Sequence, residues 1–502
     1  MSSDSSREAR PGSDAGTDRP TDSHGGATAT AWARPAESAE PPNPRRWLIW
    51  GVVLCPNIMN QIDTTIVNVA APSVQAEIGG GNSTLQWLAA GYTLAFAVFL
   101  ITGGRLGDIY GRRTMFLVGA AGFTAASVAC GLAGSPGTLI AARVLQGAFG
   151  ALLIPQGMGI LKTVFPQREL GTAFGLFAPI MGLASVSGPI LGGALIDADI
   201  FGTGWRMVFL VNLPIGLIAL AGAVFLLPRK QDKLNMRLDL IGASIVTAAA
   251  VLVIYPLVQG RAHGWPVWIW VMLAAGVVAF GLFAVYERHT TRAPIIEPSL
   301  LRNRVFISGL AIAIVFFGAV AGVVLVITLY LQIGLHFTPV HAALTGIPLS
   351  LGIAGAGLVA TKLTARFGRH ILHGGLAVMI IGLVTLALTV DHYGNTITSW
   401  LLVPAHLLIG AGMGVIFGPL FRVVLGGVSQ REVGSASGTL SAVQQFGGSL
   451  GVGVIATIYF TLTANPADLT SGMVTTALIV AAVAAVAFGL VFLLPNKKLA
   501  SW

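Results

Sequence analysis

From Trp47 onward, apolar residues run in long stretches, broken by short polar segments rich in glycine, arginine and aspartate. A helix rises about 1.5 Å per residue, so about 20 apolar residues cross the roughly 30 Å hydrocarbon core of a bilayer. Stretches of that length recur at about 47–70, 85–104, 114–133, 138–160, 170–196, 206–227 and 238–258. A second set follows at 265–286, 305–331, 340–361, 371–390, 400–421, 435–462 and 472–494. A membrane barrel shows short alternating segments instead. The pattern predicts an all-α membrane protein with fourteen transmembrane helices.

The ends differ. Residues 1–44 are mostly Ser, Asp, Gly, Pro and Ala. Such a segment buries too little apolar surface to offset its ordering entropy, so it is read as a disordered cytoplasmic tail. It has no apolar core of a signal peptide, and the first span is expected to stay uncleaved. Residues 497–502 are expected to form a cytoplasmic C-terminus.

Charge fixes the expected orientation. Only 10% of the 502 residues are charged while 54% are hydrophobic, where a soluble domain carries about 25% charged. With the tail inside, 22 of the 29 Lys and Arg fall in inner loops or beside the tail and only Arg206 and Arg261 fall outside. That asymmetry is the positive-inside pattern, and a missed helix would invert every later loop. The net charge of +9 is therefore topological, and no nucleic-acid partner is expected.

The loop after the second stretch reads Gly104-Arg105-Leu106-Gly107-Asp108-Ile109-Tyr110-Gly111-Arg112-Arg113. Glycines permit a tight reversal, and Asp108 can pair with the arginines or face a helix N-terminus. The segment resembles the signature loop of the major facilitator superfamily. Gly188-Pro189-Ile190-Leu191-Gly192-Gly193 resembles that superfamily's antiporter motif, and Leu139 to Gly147, with Arg143 and Gln146, resembles its fourth-span motif. Asp63 to Pro72, Trp205-Arg206 with Asn212, and Tyr330-Leu331-Gln332 resemble the fourteen-span drug:proton antiporters of the EmrB/QacA-like family.

The resemblance implies two six-helix bundles, 45–230 and 291–496, around a central cavity, with two extra helices at 231–290 between them. It also implies a latch at Gly104, Asp108, Gly111, Arg112 and Arg113. Lys362 to His370 keeps Arg366, Gly368 and Arg369 but has no Asp between them. The tenth and thirteenth spans also lack a carboxylate, which argues against doubly charged cations as substrates.

Among the acids, only Asp63 lies deep in an apolar stretch. An ionised carboxylate at the bilayer centre costs roughly 2.5–3.5 kcal/mol on insertion scales, which marks it as a proton-coupling site or as a packing residue held by hydroxyls. Arg143 is the one deep basic residue. It cannot shed its proton, so it is expected to face the first-bundle cavity and compete for Asp63. His406 is a further titratable candidate.

Gln61, Trp87, Tyr92, Phe96, Gln332, His406 and Gln444 are candidates for the cavity wall, where aromatic faces and a few polar groups suit a mixed apolar solute. Neither a phosphate-binding G-x-x-x-x-G-K-[ST] nor a metal-spaced Cys/His cluster occurs. Cys55 and Cys130 both lie in apolar stretches.

The resulting expectation is a proton-coupled exporter of apolar or amphipathic drug-like molecules in a bacterial inner membrane. It is multi-pass, in contact with lipid, monomeric, without catalytic activity or cofactor, and has both termini cytoplasmic. The alternative is a transporter of one specific metabolite. A membrane-embedded enzyme needs a reactive cluster at the surface, and these loops are too short to hold one.

Overall fold

A computed structural model describes residues 44–495 except 167, 168, 170, 171, 174, 175, 229–237, 291–293, 430, 431, 466 and 467. The expected C-terminal segment and all but the last residue of the expected tail lie outside the described residues.

Every long element is a helix. In chain order these are α1 (Arg46–Ile78), α2 (Asn82–Tyr110), α3 (Arg112–Gly131), α4 (Pro136–Val164), α5 (Phe177–Asp197), α6 (Asn212–Leu226) and α7 (Leu240–Gln259). They continue as α8 (Val267–His289), α9 (Arg304–Leu329), α10 (Ile347–Phe367), α11 (His370–Tyr393), α12 (Ser399–Leu425), α13 (Val433–Leu462) and α14 (Leu469–Val491). Short helical pieces at Met207–Leu210 and Pro339–Thr345 lead into α6 and α10. Among the described residues, twelve helices are long and apolar enough to cross a membrane. The protein is a multi-pass, all-helical membrane protein. α1 occupies the first apolar stretch without meeting that measure of length and composition. In α1 the row Asn57, Asn60, Gln61, Asp63 and Asn68 dilutes the apolar run.

Local chemistry sets the ends. Ser135 accepts from the Thr138 amide in a capping box with Pro136 at the first helical position of α4. Asn303 accepts from the Val305 and Phe306 amides at the start of α9. Between α2 and α3 the whole reversal is one residue, Gly111, at φ 98°. A side chain there would be strained.

The pairings of α1–α6 recur in α9–α14. α1 packs on α5 as α9 packs on α13, α2 on α4 as α10 on α12, and α3 on α4 as α11 on α12. α7 and α8 pack on each other, and α7 also touches α2 and α13 at the seam between the two sets. Phe280 of α8 meets Phe446 of α13 edge-on, with ring centroids 5.3 Å apart.

Candidate functional site

At the middle of α1, Asp63 is fully buried and bound by three side chains from two other helices. Arg143 of α4 donates from Nη1 to Oδ2 at 2.5 Å. Gln146, one turn along α4, and Asn212 at the start of α6 donate to Oδ1 at 2.9 and 3.0 Å. Ser127 of α3 accepts from the same two amides and donates to the Phe209 carbonyl at 2.8 Å.

Arg143 is equally enclosed. Its Nε donates to the Leu88 carbonyl of α2 at 3.1 Å, and its Nη1 also reaches Gln146 Oε1 at 2.7 Å. The guanidinium carbon lies 4.3 Å from the centroid of the Tyr92 ring and 5.8 Å from that of Phe209, close enough for cation–π attraction. A buried ion pair persists only where further hydrogen bonds satisfy both groups. Here Gln146, Asn212 and Leu88 do so, and the pair ties α1, α2, α4 and α6 together. Arg143 and Asp63 thus meet directly, with no water between them.

Beside this network lies a cavity of about 1160 Å³, walled by α1, α2, α4 and α5 on one side and α9, α10, α12 and α13 on the other. Gln61, Tyr92, Phe96, His406 and Gln444 are in its wall, as is Arg143. Asp63 is behind Arg143 and outside that wall. Neither ring nitrogen of the fully buried His406 makes a hydrogen bond of ordinary geometry.

Two expected wall residues lie elsewhere. Trp87 faces α7, its ring 6.2 Å from Tyr255, because its position on α2 points at the seam filled by the extra pair. Gln332 sits in a π-helical turn, Tyr330–Gly334, that ends α9. The extra residue per turn rotates its amide to the Val69 carbonyl of α1, 3.1 Å away.

At one end the cavity reaches the α2–α3 loop, where Arg105, Asp108 and Arg112 line it opposite Glu297 and Gly434. Toward the other end the two helix sets close on each other. Thr93 and Ser449 hydroxyls lie 2.6 Å apart, and the Gln86 amide and Thr457 hydroxyl 2.8 Å apart. Gly193 lies so close that a β-carbon on it would meet Val340 Cα at 2.5 Å. The cavity therefore opens at the loop end and is sealed at the Gly193 end.

The glycines of α5 divide their work. β-carbons at Gly188 and Gly192 would strike Thr65 Oγ1 at 2.0 Å and Ile66 Cγ1 at 2.5 Å on α1, so those two permit close approach within one set. Pro189 lines the cavity between them. In the loop, Asp108 accepts from Arg112 Nη2 at 3.0 Å, Arg113 donates to the Val224 carbonyl at 2.9 Å, and Arg105 donates to the Pro294 carbonyl. Gly104 packs on Pro155 of α4.

Sequence reasoning singled out Asp63 and Arg143 as the lone deep charges. It gave no role to Ser127, and it noted Asn212 and Gln146 only as parts of motifs. Neutral polar residues are common in such helices, and only the fold brings the two amides onto one carboxylate with Ser127 behind them.

Residues 53–452 match the family model for the Major Facilitator Superfamily. The chain is 50% identical over 85% of its length to a probable actinorhodin transporter of Streptomyces coelicolor, covering 75% of that protein. It is 35% identical over 85% of its length to the puromycin resistance protein pur8 of Streptomyces alboniger, covering 84% of it. Among solved structures, an auto-inhibited POT family peptide transporter superposes with a TM-score of 0.65 at 16% identity, over 90% of this chain and 97% of that one. The fold is shared, and by sequence this chain belongs to the Major Facilitator Superfamily.

Proposed function

We propose that this chain exports apolar or amphipathic drug-like molecules, antibiotics among them, in exchange for protons across a bacterial inner membrane. The observation that carries the reading is the Asp63–Arg143 pair, sequestered directly behind the wall of a large central cavity. The relatives named for actinorhodin transport and puromycin resistance support the substrate class. The cavity suits it too, since Tyr92, Phe96, Phe317 and Phe417 alternate there with amides and hydroxyls.

The coupling follows from competition. Arg143 touches both the cavity and Asp63. A proton on Asp63 cancels the ionic attraction and frees the guanidinium for a substrate oxygen; a substrate that holds Arg143 favours the protonated carboxyl in turn. Two ligands that differ in affinity for the two facing states are sufficient for exchange. The topology proposed with this mechanism has fourteen spans, bundles at 45–230 and 291–496, the extra pair between them, cytoplasmic termini and a monomeric unit.

Expression in an efflux-deficient bacterial host tests it. Tolerance to puromycin and to planar aromatic antibiotics should rise, and a protonophore should abolish the rise. A chain that reaches the membrane yet protects against none of them would point to a single-metabolite transporter.

A further inference from the structure

The motif resemblance assigns no role to Arg105, the second residue of the signature loop, nor to the acids of the extra helical pair. The structure joins them. Glu287, in the last turn of α8, is 0% exposed. Its carboxylate accepts from the Ile295 and Ile296 amides at 3.3 and 3.2 Å. Those bonds hold the 294–296 turn against the end of α8, and the Pro294 carbonyl in it accepts from Arg105.

A second acid braces the end of α8. Asp239 caps α7, accepting from the Gly242 amide at 2.9 Å and from the Tyr286 hydroxyl at 2.9 Å. It thereby fixes the start of α7 to the end of α8. Four carboxylates favour the Arg105 charge electrostatically: Glu287 on α8, Asp239 before α7, Glu297 beyond α8 and Asp108 on its own helix. A buried carboxylate is costly unless it is hydrogen-bonded, and here the bonds of Glu287 place the carbonyl that accepts from Arg105.

Arg105 and Glu297 both line the open end of the cavity. Closing that end requires α2 to move against the segment that follows α8, so a contact between the two depends on the facing state. We infer that Glu287 is a positioning residue for transport: through the 294–296 turn it tethers Arg105, and so α2, in the state whose cavity opens at the signature loop. The extra pair thus sets the facing equilibrium besides filling the seam.

This inference rests on the alternating-access reading, but its test needs neither drug nor proton gradient. Failure of the labelling below leaves export standing, and a chain that exports nothing can still show the tether. In full-length protein lacking Cys55 and Cys130, reconstituted in nanodiscs, single cysteines at Ser437, in the open cavity, and at Gln332, in the seal, are labelled with a maleimide. Glu287→Ala should slow labelling at Ser437 and speed it at Gln332, shifting the ratio roughly tenfold, the size expected for one lost charge-assisted hydrogen bond. Arg105→Ala should do the same, and the double variant should shift it no further, because both act through one contact. Glu287→Gln, which keeps one acceptor oxygen, should fall between. Unchanged ratios, additive shifts or a shift the other way would each overturn the tether. Should Glu287→Ala fail to fold, Arg105→Ala and Glu287→Gln decide the matter alone.

Discussion

Arg143 Nη1 lies 2.5 Å from Asp63 Oδ2, and the two side chains are 1% and 0% exposed. The partners are unequal chemically. A carboxylate left without its cation can take up a proton, whereas a guanidinium left without its anion keeps its charge.

Asp63→Asn should therefore cost more stability than Arg143→Ala removes by loss of the ion pair itself. Breaking a buried pair so that one charge remains costs about 3–5 kcal/mol, and the amide still accepts from Gln146 and Asn212, so the low end is expected. Adding Arg143→Gln to Asp63→Asn should restore much of the lost thermal stability and none of the pH-dependent exchange. The checks are melting of purified protein and uphill drug accumulation in liposomes under an imposed pH gradient. Uphill accumulation by Asp63→Asn at the wild-type rate would remove Asp63 as the proton site and make His406 the next residue to test.

The latch pair behaves otherwise. The Asp108 and Arg112 side chains are 29% and 34% exposed, and such half-exposed pairs contribute at most about 1 kcal/mol. Asp108→Asn and Arg112→Ala should leave melting almost unchanged and drug binding intact, yet slow transport. Gly159→Ala should reproduce the defect, since a β-carbon there would lie 2.1 Å from Arg112 Nη1. Transport at the wild-type rate in all three would leave the loop as a topology signal only.

Topology is tested from outside the cell. Asn395 and Arg366 are both exposed, at opposite ends of the helices on the fourteen-span reading. A cysteine at Asn395 should react with an impermeant reagent in intact cells, and one at Arg366 should not. The reverse pattern would sink the orientation.

The apolar stretches were legible because length and hydropathy mark a helix able to cross a bilayer; each stretch coincides with a helix, and twelve among the described residues meet that measure. Asp63 and Arg143 were legible because a charge deep in an apolar run needs a reason. Trp87 and Gln332 were misplaced because facing direction depends on neighbours: Tyr255 draws one to the seam, and a π-helical turn rotates the other. Glu287 sits at a helix end near a loop, where acids are ordinary, and its burial comes from the turn folding over it.

The α5 glycines give two opposite expectations from the two ends of one motif. A β-carbon at Gly188 meets mainly a side-chain atom, Thr65 Oγ1, within one helix set. Thr65 can rotate, so Gly188→Ala should cost modest stability and leave the facing equilibrium where it is. A β-carbon at Gly193 meets backbone of the other set, with Val340 Cα at 2.5 Å and the Pro339 carbonyl oxygen at 2.8 Å. Backbone cannot rotate away, so Gly193→Ala must push the seal apart. It should populate the opposite-facing state, read as faster maleimide labelling of a cysteine at Gln332 and slower labelling at Ser437. Equal labelling shifts from Gly188→Ala and Gly193→Ala would mean that α5 acts as one rigid wedge, and that the division between packing glycines and a sealing glycine is wrong.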